Sequence, residues 1–264
     1  MAYKDKVVLI TGAARGIGAE AARQFGAAGA QLVLLDIDGA GAQRTAAGLE
    51  EDGVRAIGLG CDITSAQQIG QAREQAIARF GHIDILINNA AAQQFGPGNI
   101  DALDLERYRL SFEVNVLGCI RMVEAFLPAM QARGAGHIVN TSSSLAIRPN
   151  PVIQHLMPYV TSKGAVLTWT YALACAVRRH GIDVSLFCPG LTTTTADGLT
   201  KPQKNGWFDH TPPALAAPGS MRDCAAVLLD GVARRRFLIS SEPDYADALT
   251  SFAAAGLDPE HFSL

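Results

Sequence analysis

Thr11-Gly12-Ala13-Ala14-Arg15-Gly16-Ile17-Gly18 follows the apolar run Val7-Val8-Leu9-Ile10 and leads directly into an alanine-rich segment. The apolar run predicts a short buried strand, and the alanine-rich segment predicts a helix. Gly12 permits a tight turn between them, while Gly16 and Gly18 let a pyrophosphate approach the backbone where the helix begins. Glycine-rich turns also occur as plain connections, so the turn indicates a dinucleotide site only together with its surroundings.

The rest of the chain repeats this alternation of short apolar runs and longer amphipathic segments. The runs that predict strands cover residues 7–10, 32–35, 56–59, 83–87, 137–140, 184–187 and 236–239. The segments that predict helices lie around residues 17–28, 40–51, 66–80, 103–131, 159–180 and 219–230. Such alternation predicts a single α/β domain over residues 1–264, with a doubly wound, Rossmann-like parallel sheet of about seven strands and helices on both faces. The irregular residues 191–219 predict a substrate loop or lid.

The composition of the chain argues against nucleic-acid, membrane and metal partners. The 264 residues are 48% hydrophobic and 18% charged, with a formal net charge of -3, so we expect no nucleic-acid partner. The most apolar window, residues 164–177, is too short to span a bilayer, and the first residues lack a signal-peptide pattern. We therefore expect a cytoplasmic protein that is not bound to a membrane. Scattered cysteines without CxxC spacing predict buried, reduced thiols and no metal site: Cys61, Cys119, Cys175, Cys188 and Cys224.

Asp36 lies at the end of the second predicted strand. A dinucleotide fold places an acid there to accept hydrogen bonds from the adenosine ribose hydroxyls. Because a carboxylate repels the 2′-phosphate of NADP, Asp36 favours NAD over NADP. Arg15 would favour the phosphate, although it could equally lie over the adenine or the pyrophosphate. Asp36 could also be a simple turn residue at the end of a strand.

Tyr159 and Lys163 are four residues apart in a segment that predicts a helix, so they project from one face. A phenol has a pKa of about 10, and a nearby ammonium group stabilises its phenolate form. This spacing is common on helix surfaces and becomes specific only through its neighbours. Upstream, the predicted strand at 137–140 ends in Thr141-Ser142-Ser143-Ser144, which places hydroxyl groups at the edge where open α/β sheets bind ligands.

With these features in order, the sequence resembles the short-chain dehydrogenase/reductase family over nearly its whole length. The matching stretches are residues 11–18, 36, 61–63, 88–90, 115, 141–144, 159–163 and 189–194. The resemblance implies that Ser143 hydrogen-bonds the substrate oxygen and that Tyr159 exchanges a proton with it as the acid/base. It implies that Lys163 holds the nicotinamide ribose and lowers the tyrosine pKa, and that Asn115 holds a water in a proton relay toward Lys163.

The family pattern also implies a set of cofactor contacts. Asp62 and Ile63 would contact the adenine, and Thr192 or Thr194 would meet the carboxamide. The full set of cofactor-binding positions is Gly12, Arg15, Gly16, Ile17, Gly18, Asp36, Asp62, Ile63, Asn89, Ala90, Ala91, Tyr159, Lys163, Pro189, Gly190, Thr192 and Thr194.

The function that the resemblance implies is NAD-dependent interconversion of a secondary alcohol and a ketone. Apolar residues near the mouth of the site favour a largely apolar small molecule, although each could equally be core or lid packing. The substrate candidates are Gln94, Phe95, Leu145, His155, Leu191 and Trp207. Two other functions fit the same fold: a catalytically silent NAD(H)-binding regulatory protein, and a lyase or epimerase.

The sequence departs from the family pattern in four places. Ala91 and Ala146 stand where the family has glycine, and the interval from Ser143 to Tyr159 is longer than usual. The family's closing Val-Asp-Gly-Gly is replaced by Ile239-Ser240-Ser241-Glu242-Pro243 and a helical tail. The resemblance implies a homodimer or homotetramer. Because the tail departs, we expect a dimer built on the helices around 103–131 and 159–180.

Overall fold

The computed structural model describes residues 2–93, 103–147, 151–192, 219–242 and 244–257. Its seven strands are all parallel and form one sheet in the order β3-β2-β1-β4-β5-β6-β7. The strands are β1 Val7–Thr11, β2 Gln31–Asp36, β3 Ala56–Gly60, β4 Ile85–Asn88, β5 Gly136–Thr141, β6 Ile182–Cys188 and β7 Leu238–Ser240. This confirms the predicted α/β class with a Rossmann-like parallel sheet.

Helices connect these strands. They are α1 Gly16–Ala27, α2 Gly39–Glu51, α3 Ala66–Phe80, α4 Leu105–Phe112, α5 Cys119–Arg133, α6 Met157–Val177, α7 Met221–Ala233 and α8 Tyr245–Ala254. Short 3-10 turns lie at Ser144–Ala146, Pro151–His155 and Arg178–His180. The segment predicted as one helix around 103–131 consists of α4 and α5, joined by a π-helical turn at Glu113–Gly118.

Both faces of the sheet are covered. On β1, Val8 and Ile10 point into a core with α1, α2 and α7, whereas Val7 and Leu9 point into a core with α3, α5 and α6. Successive side chains of a strand point to opposite faces, so a strand buried on both sides is an unbroken apolar run. This explains why the apolar runs, rather than alternating patterns, predicted the sheet.

The strand order reverses between β1 and β4. β1 pairs with β2 on one side and with β4 on the other, so the chain leaves these two central strands in opposite directions. Open parallel sheets bind ligands in the crevice outside the carboxyl ends of such strands. The turn after β1 and the segment after β4 both lie at this crevice.

The structure bears on two predictions made from composition, the burial of the cysteines and the membrane-spanning potential of the chain. The prediction that all the cysteines are buried is wrong for Cys175, which is exposed on α6, while Cys61, Cys119, Cys188 and Cys224 are buried free thiols. Among the residues described, none of the helices is long and apolar enough to cross a bilayer.

A buried histidine joins the last three strands at the opposite end of the sheet from the crevice. His137 Nε2 lies 2.7 Å from Ser185 Oγ, and Ser185 donates its hydroxyl to the carbonyl of Arg236 at 2.6 Å. The serine hydroxyl therefore accepts from the Nε2–H of a neutral imidazole. Burial lowers the pKa of His137 to about 4, an effect that Asp183 opposes and Arg235 reinforces.

We expect this histidine to make stability depend on pH. The unfolded chain binds the proton near pH 6.5 and the native protein only near pH 4, so the unfolding free energy falls as pH decreases through this window. Between pH 7 and pH 5, wild type should lose about 2 kcal/mol more than His137→Gln, measured by urea denaturation. His180→Gln, a change at a histidine near the surface, should lose as much as wild type. An equal loss in the His137 variant would contradict the prediction.

Candidate active site

Four chain segments meet at the crevice. They are the glycine turn after β1, the segment after β4, the serine turn after β5 and the segment after β6. The strand order places β1, β4, β5 and β6 next to one another, so side chains far apart in sequence come together at their carboxyl ends.

The glycine turn is closely packed. Gly12 has a φ of +68°, in the left-handed region that favours glycine. A Cβ on Gly18 would lie 2.2 Å from the carbonyl oxygen of Gly12 and 2.7 Å from Asn89 Nδ2. Gly18 therefore allows α1 to pack directly against the turn that precedes it.

The N-terminus of α1 has no side chain that caps it. Arg15 occupies the N-cap position without a side-chain hydrogen bond, and no acidic residue lies in the first turn. By contrast, the side chains of four other N-cap residues accept backbone N–H groups: Asp38 of α2, Ser65 of α3, Asp104 of α4 and Ser220 of α7. A helix N-terminus whose N–H donors no side chain caps and whose first turn holds no acid fits a pyrophosphate. These residues therefore suit the dinucleotide that the turn predicts.

Thr11 and Asn89 hold β1 and β4 together at the crevice. The Thr11 hydroxyl accepts the N–H groups of Asn89 and Ala90, both at 3.0 Å. The Asn89 side-chain amide donates to the carbonyls of Thr11 at 3.0 Å and Gly12 at 3.2 Å. Sequence reasoning gave no role to the Thr11 side chain. Asn89 was predicted to line a cofactor, and its amide group is bonded to the glycine turn.

Asp36 faces the glycine turn. Its Oδ2 accepts the N–H of Ala14 at 2.9 Å, and its Oδ1 accepts the N–H of Asp38 at 2.9 Å. Both oxygens therefore fix the carboxylate beside the turn. The next residue, Ile37, is 78% exposed, which is unusual for a large aliphatic side chain. Ile37 was not among the predicted site residues; its position directly after Asp36 was the one sequence signal that placed it near the cofactor site.

Asp62 and Ile63, the other two residues predicted to contact the adenine, are held in place by hydrogen bonds and by packing, respectively. Asp62 Oδ1 accepts from the N–H and the hydroxyl of Thr64 at 2.9 and 2.8 Å. Ile63 is buried against the π-helical turn, where a Cβ on Gly118 would lie 2.7 Å from Ile63 Cδ1.

Tyr159 and Lys163 lie one turn apart on α6. Lys163 is only 2% exposed, and its Nζ lies 5.6 Å from the centroid of the Tyr159 ring. The ammonium group donates to the carbonyl of Thr141 at 2.7 Å, while the Ser142 hydroxyl donates to the carbonyl of Lys163 at 2.8 Å. This pair of hydrogen bonds joins the end of β5 to α6. Ser143, the residue after Ser142, is also buried; its hydroxyl accepts the N–H of Leu145 at 3.3 Å and lies near enough to Tyr159 to affect the pKa of the tyrosine.

Burial dominates the electrostatics of this group. It raises the pKa of Tyr159 to about 12, although the hydrogen bond from Ser143 acts in the opposite direction. Burial also lowers the pKa of Lys163 to about 8, opposed by the thiols of Cys119 and Cys188. Lys163 is not among the causes of this shift, and its lowering of the tyrosine pKa stays a prediction. The ammonium group lies over the ring and bonds a backbone carbonyl, so the cost of desolvating the phenolate prevails.

Asn115 lies on the π-helical turn rather than in a regular helix. Its amide oxygen accepts the N–H of Ala92 at 2.7 Å, and its Nδ2 donates to the carbonyl of Ala92 at 3.0 Å and to Ser162 Oγ at 2.8 Å. Ser162 in turn donates to the carbonyl of Tyr159 at 2.6 Å. Asn115 therefore connects the segment after β4 to the helix that carries Tyr159. Sequence reasoning did not identify Ser162.

A buried polar cluster adjoins these residues within the sheet. Asn88 donates through Nδ2 to Asn140 Oδ1 at 2.9 Å, across the β4–β5 pair. Asn140 donates to Thr170 Oγ1 at 3.1 Å and accepts the Cys119 thiol at 3.2 Å. These contacts hold β4, β5, α5 and α6 in register at the crevice.

The predicted substrate residues are only partly described. Gln94, Phe95 and Trp207, together with the predicted cofactor residue Thr194, lie outside the described residues. Leu145 and His155 are half-buried in the two 3-10 turns between Ser143 and Tyr159, and Leu191 is 47% exposed.

The segment after β6 reaches the serine turn. The carbonyl of Pro189 accepts the N–H of Ser144 at 3.1 Å, and the Thr192 hydroxyl donates to the carbonyl of Gly190 at 3.0 Å. Within the described ranges, no cluster of three or more His, Cys, Asp or Glu side chains could hold a metal ion.

Known proteins of one family are similar to this chain. The short chain dehydrogenase family model matches residues 6–205. The chain is 37% identical over 192 residues to galactitol 2-dehydrogenase of Agrobacterium fabrum, covering 72% of each chain. It is 31% identical over 248 residues to 1-deoxy-11-beta-hydroxypentalenate dehydrogenase of Streptomyces exfoliatus, covering 92% of this chain and 86% of the relative.

Solved structures are similar over nearly the whole chain. A short chain dehydrogenase/reductase from Burkholderia phymatum, in complex with NAD, superposes with a TM-score of 0.82 at 26% identity and covers 98% of both chains. A metagenomic short-chain oxidoreductase in complex with NADP has a TM-score of 0.71 at 26% identity, covering 91% of this chain and 97% of the other.

The packing at Gly18 leads to a prediction about stability. Gly18→Ala should lower the unfolding free energy by about 1–3 kcal/mol, because the added methyl group meets backbone atoms that cannot move away independently. Gly48→Ala is the matched control, since a Cβ on Gly48 meets nothing within 4 Å on helix α2. The control should raise stability by about 0.5–1 kcal/mol. Urea denaturation measures both, and a Gly18 variant as stable as the Gly48 variant would contradict the prediction.

Proposed function

The chain belongs to the short-chain dehydrogenase/reductase family, and we propose that it is an NAD-dependent member in which Tyr159 is the acid/base. Its relatives place it among oxidoreductases that act on CH–OH groups and use a nicotinamide cofactor. The observation that carries the proposal is the buried Lys163 ammonium group, 5.6 Å from the centroid of the Tyr159 ring, at the carboxyl edge of the sheet where Ser143 is also buried. We treat residues 1–264 as one unit, with 191–219 as its substrate loop.

The crevice offers a group for each part of the cofactor. The N–H groups at the start of α1 would hold the pyrophosphate, Asp36 the adenosine ribose, Lys163 the nicotinamide ribose and residues 189–192 the carboxamide. The bound cofactor supplies the hydride acceptor or donor. The preference for NAD rests on Asp36, whose carboxylate is fixed beside the glycine turn, where a 2′-phosphate would meet like charge.

The proton is handled by Tyr159 with Ser143. In ketone reduction, the Tyr159 hydroxyl gives its proton to the substrate oxygen while the Ser143 hydroxyl donates a hydrogen bond to that oxygen. The raised pKa keeps Tyr159 protonated at neutral pH, which is the form that reduction requires. In alcohol oxidation Tyr159 accepts the hydroxyl proton, so the rate of oxidation should rise with pH as the phenolate forms. Asn115 and Ser162 position Tyr159 by bonding the backbone around it.

Assembly as a homodimer is part of the proposal. Large aliphatic side chains are exposed before and along α4 and the π-helical turn: Leu103, Leu105, Leu110 and Leu117. Tyr171 on α6 is also exposed. Large exposed apolar side chains on neighbouring helices fit a protein–protein contact. A largely apolar small molecule remains our proposed substrate, because Leu145 and Leu191 flank the segments that carry Ser143 and Pro189.

Replacing Tyr159 tests the function directly. A panel of secondary alcohols and ketones, including galactitol, L-fucose and fluoren-9-ol from the names of relatives, would be followed by the near-ultraviolet absorbance of NADH. Tyr159→Phe should lower kcat by about 10²- to 10⁴-fold, because it removes the transferable proton. Tyr171→Phe, on the same helix, is the control and should turn over like wild type. Unchanged kcat in the Tyr159 variant would refute the assignment.

Replacing Asp36 tests the choice of cofactor. Asp36→Asn should lower the ratio of kcat/KM for NAD to that for NADP by about tenfold or more, because the charge that repels a 2′-phosphate is lost. Asp38→Asn removes a carboxylate from the same turn and should change the ratio much less. If wild type uses both cofactors equally, or if both variants change the ratio alike, Asp36 does not select NAD.

A further inference from the structure

The turn after β7 contacts the segment that follows β6. Ser241 accepts the N–H of Gly190 on its hydroxyl oxygen at 2.9 Å. A Cβ on Gly190 would lie 2.8 Å from Cγ and 2.9 Å from Oε1 of Glu242, so the glutamate side chain rests against the Gly190 backbone. The Ser240 hydroxyl accepts the N–H of Glu242 at 3.2 Å and fixes the start of this turn. In this chain the turn thus supports the end of β6 from a neighbouring strand.

The helix that follows the turn reaches the same place. Tyr245, the first residue of α8, is 3% exposed and packs with Leu186 and Cys188 of β6. Its hydroxyl lies beside the Cys188 thiol and within the field of the Glu242 carboxylate. Burial and these two neighbours raise the pKa of Tyr245 well above its ordinary value, so the phenol stays protonated.

Cys188 connects this group to Lys163. The carbonyl of the preceding residue, Phe187, accepts the N–H of Ser142 at 2.7 Å, and the Ser142 hydroxyl donates to the carbonyl of Lys163 at 2.8 Å. The next residue of the chain is Pro189, whose carbonyl accepts the N–H of Ser144 in the serine turn. A shift of Cys188 would therefore displace both the environment of Lys163 and the segment at 189–190.

We propose that Glu242 and Tyr245 are positioning residues for the nicotinamide end of the cofactor. They hold Cys188 and Gly190, and through them Lys163, in the arrangement that the cofactor requires. The inference rests on the proposed function, because it takes Lys163 and residues 189–192 as cofactor contacts. It assigns a role to the turn and helix where this sequence departs from the family pattern, in Ser241-Glu242-Pro243 and the tail.

The test measures cofactor binding without a substrate. NADH affinity is obtained from its fluorescence on titration, and ADP affinity from displacement of NADH. ADP contains the adenosine and both phosphates but lacks the nicotinamide and its ribose. Glu242→Gln and Tyr245→Phe should each weaken NADH binding by about tenfold, and ADP binding should stay within twofold of wild type. With an active substrate, kcat should fall by as much as a hundredfold, about the loss that a small misplacement causes.

Tyr3→Phe is the matched control. Tyr3 is as buried as Tyr245, and its hydroxyl donates to the carbonyl of Leu229 at 2.5 Å. All the variants would be compared by Tm. The control should lower Tm at least as much as Tyr245→Phe and leave NADH affinity unchanged. Should Tyr245→Phe not fold, Glu242→Gln carries the same test, since the amide fills the same volume as the carboxylate.

Three results would overturn the inference. They are NADH affinity within twofold of wild type in both variants, an equal loss of NADH and ADP affinity, and an equal loss of NADH affinity in Tyr3→Phe. Failure of the inference differs from failure of the proposed function. If Tyr159→Phe abolishes turnover while both variants bind NADH normally, only the inference fails. If Tyr159→Phe turns over like wild type, the assignment of Tyr159 fails whatever the affinities are.

Discussion

Lys163 is buried at the crevice with its ammonium nitrogen 2.7 Å from the carbonyl oxygen of Thr141. An ammonium group removed from water is costly, and here the cost appears as a pKa lowered to about 8. The hydrogen bond that offsets part of this cost also ties α6 to the end of β5, so the position of Tyr159 and that of Ser143 depend on it. The reciprocal bond from Ser142 to the Lys163 carbonyl closes the connection.

The same edge of the sheet is supported by bonds between loops. Thr11 and Asn89 join the ends of β1 and β4, Asn115 joins the segment after β4 to α6, and Ser241 joins the segment after β6 to the turn after β7. Each bond uses a side chain to satisfy backbone groups that no strand or helix pairs. The crevice is therefore lined by a row of short segments, each hydrogen-bonded to a neighbouring one, beside the group formed by Ser143, Tyr159 and Lys163.

Much of this could be predicted from sequence because it is local. Apolar runs predicted the seven strands, since strands buried on both faces are apolar throughout. The glycine motif directly after the first run predicted the turn between β1 and α1. The π-helical turn at Asn115 could not be predicted, since its amide bonds residues 23 and 47 positions away. The raised pKa of Tyr159 was missed for a similar reason: spacing along a helix shows which side chains are near, but burial depends on the whole fold. The contact between Glu242 and Gly190 likewise joins residues far apart in sequence.

The uncapped start of α1 has a thermodynamic consequence. A helix whose first N–H groups lack side-chain partners is less stable than a capped one by about 1 kcal/mol, and any anion that binds there restores the missing hydrogen bonds. Ligand binding and the folding equilibrium are then linked, so the unfolding free energy rises with the logarithm of ligand concentration above the Kd. The resistance of this chain to unfolding and proteolysis would accordingly follow the supply of dinucleotide around it.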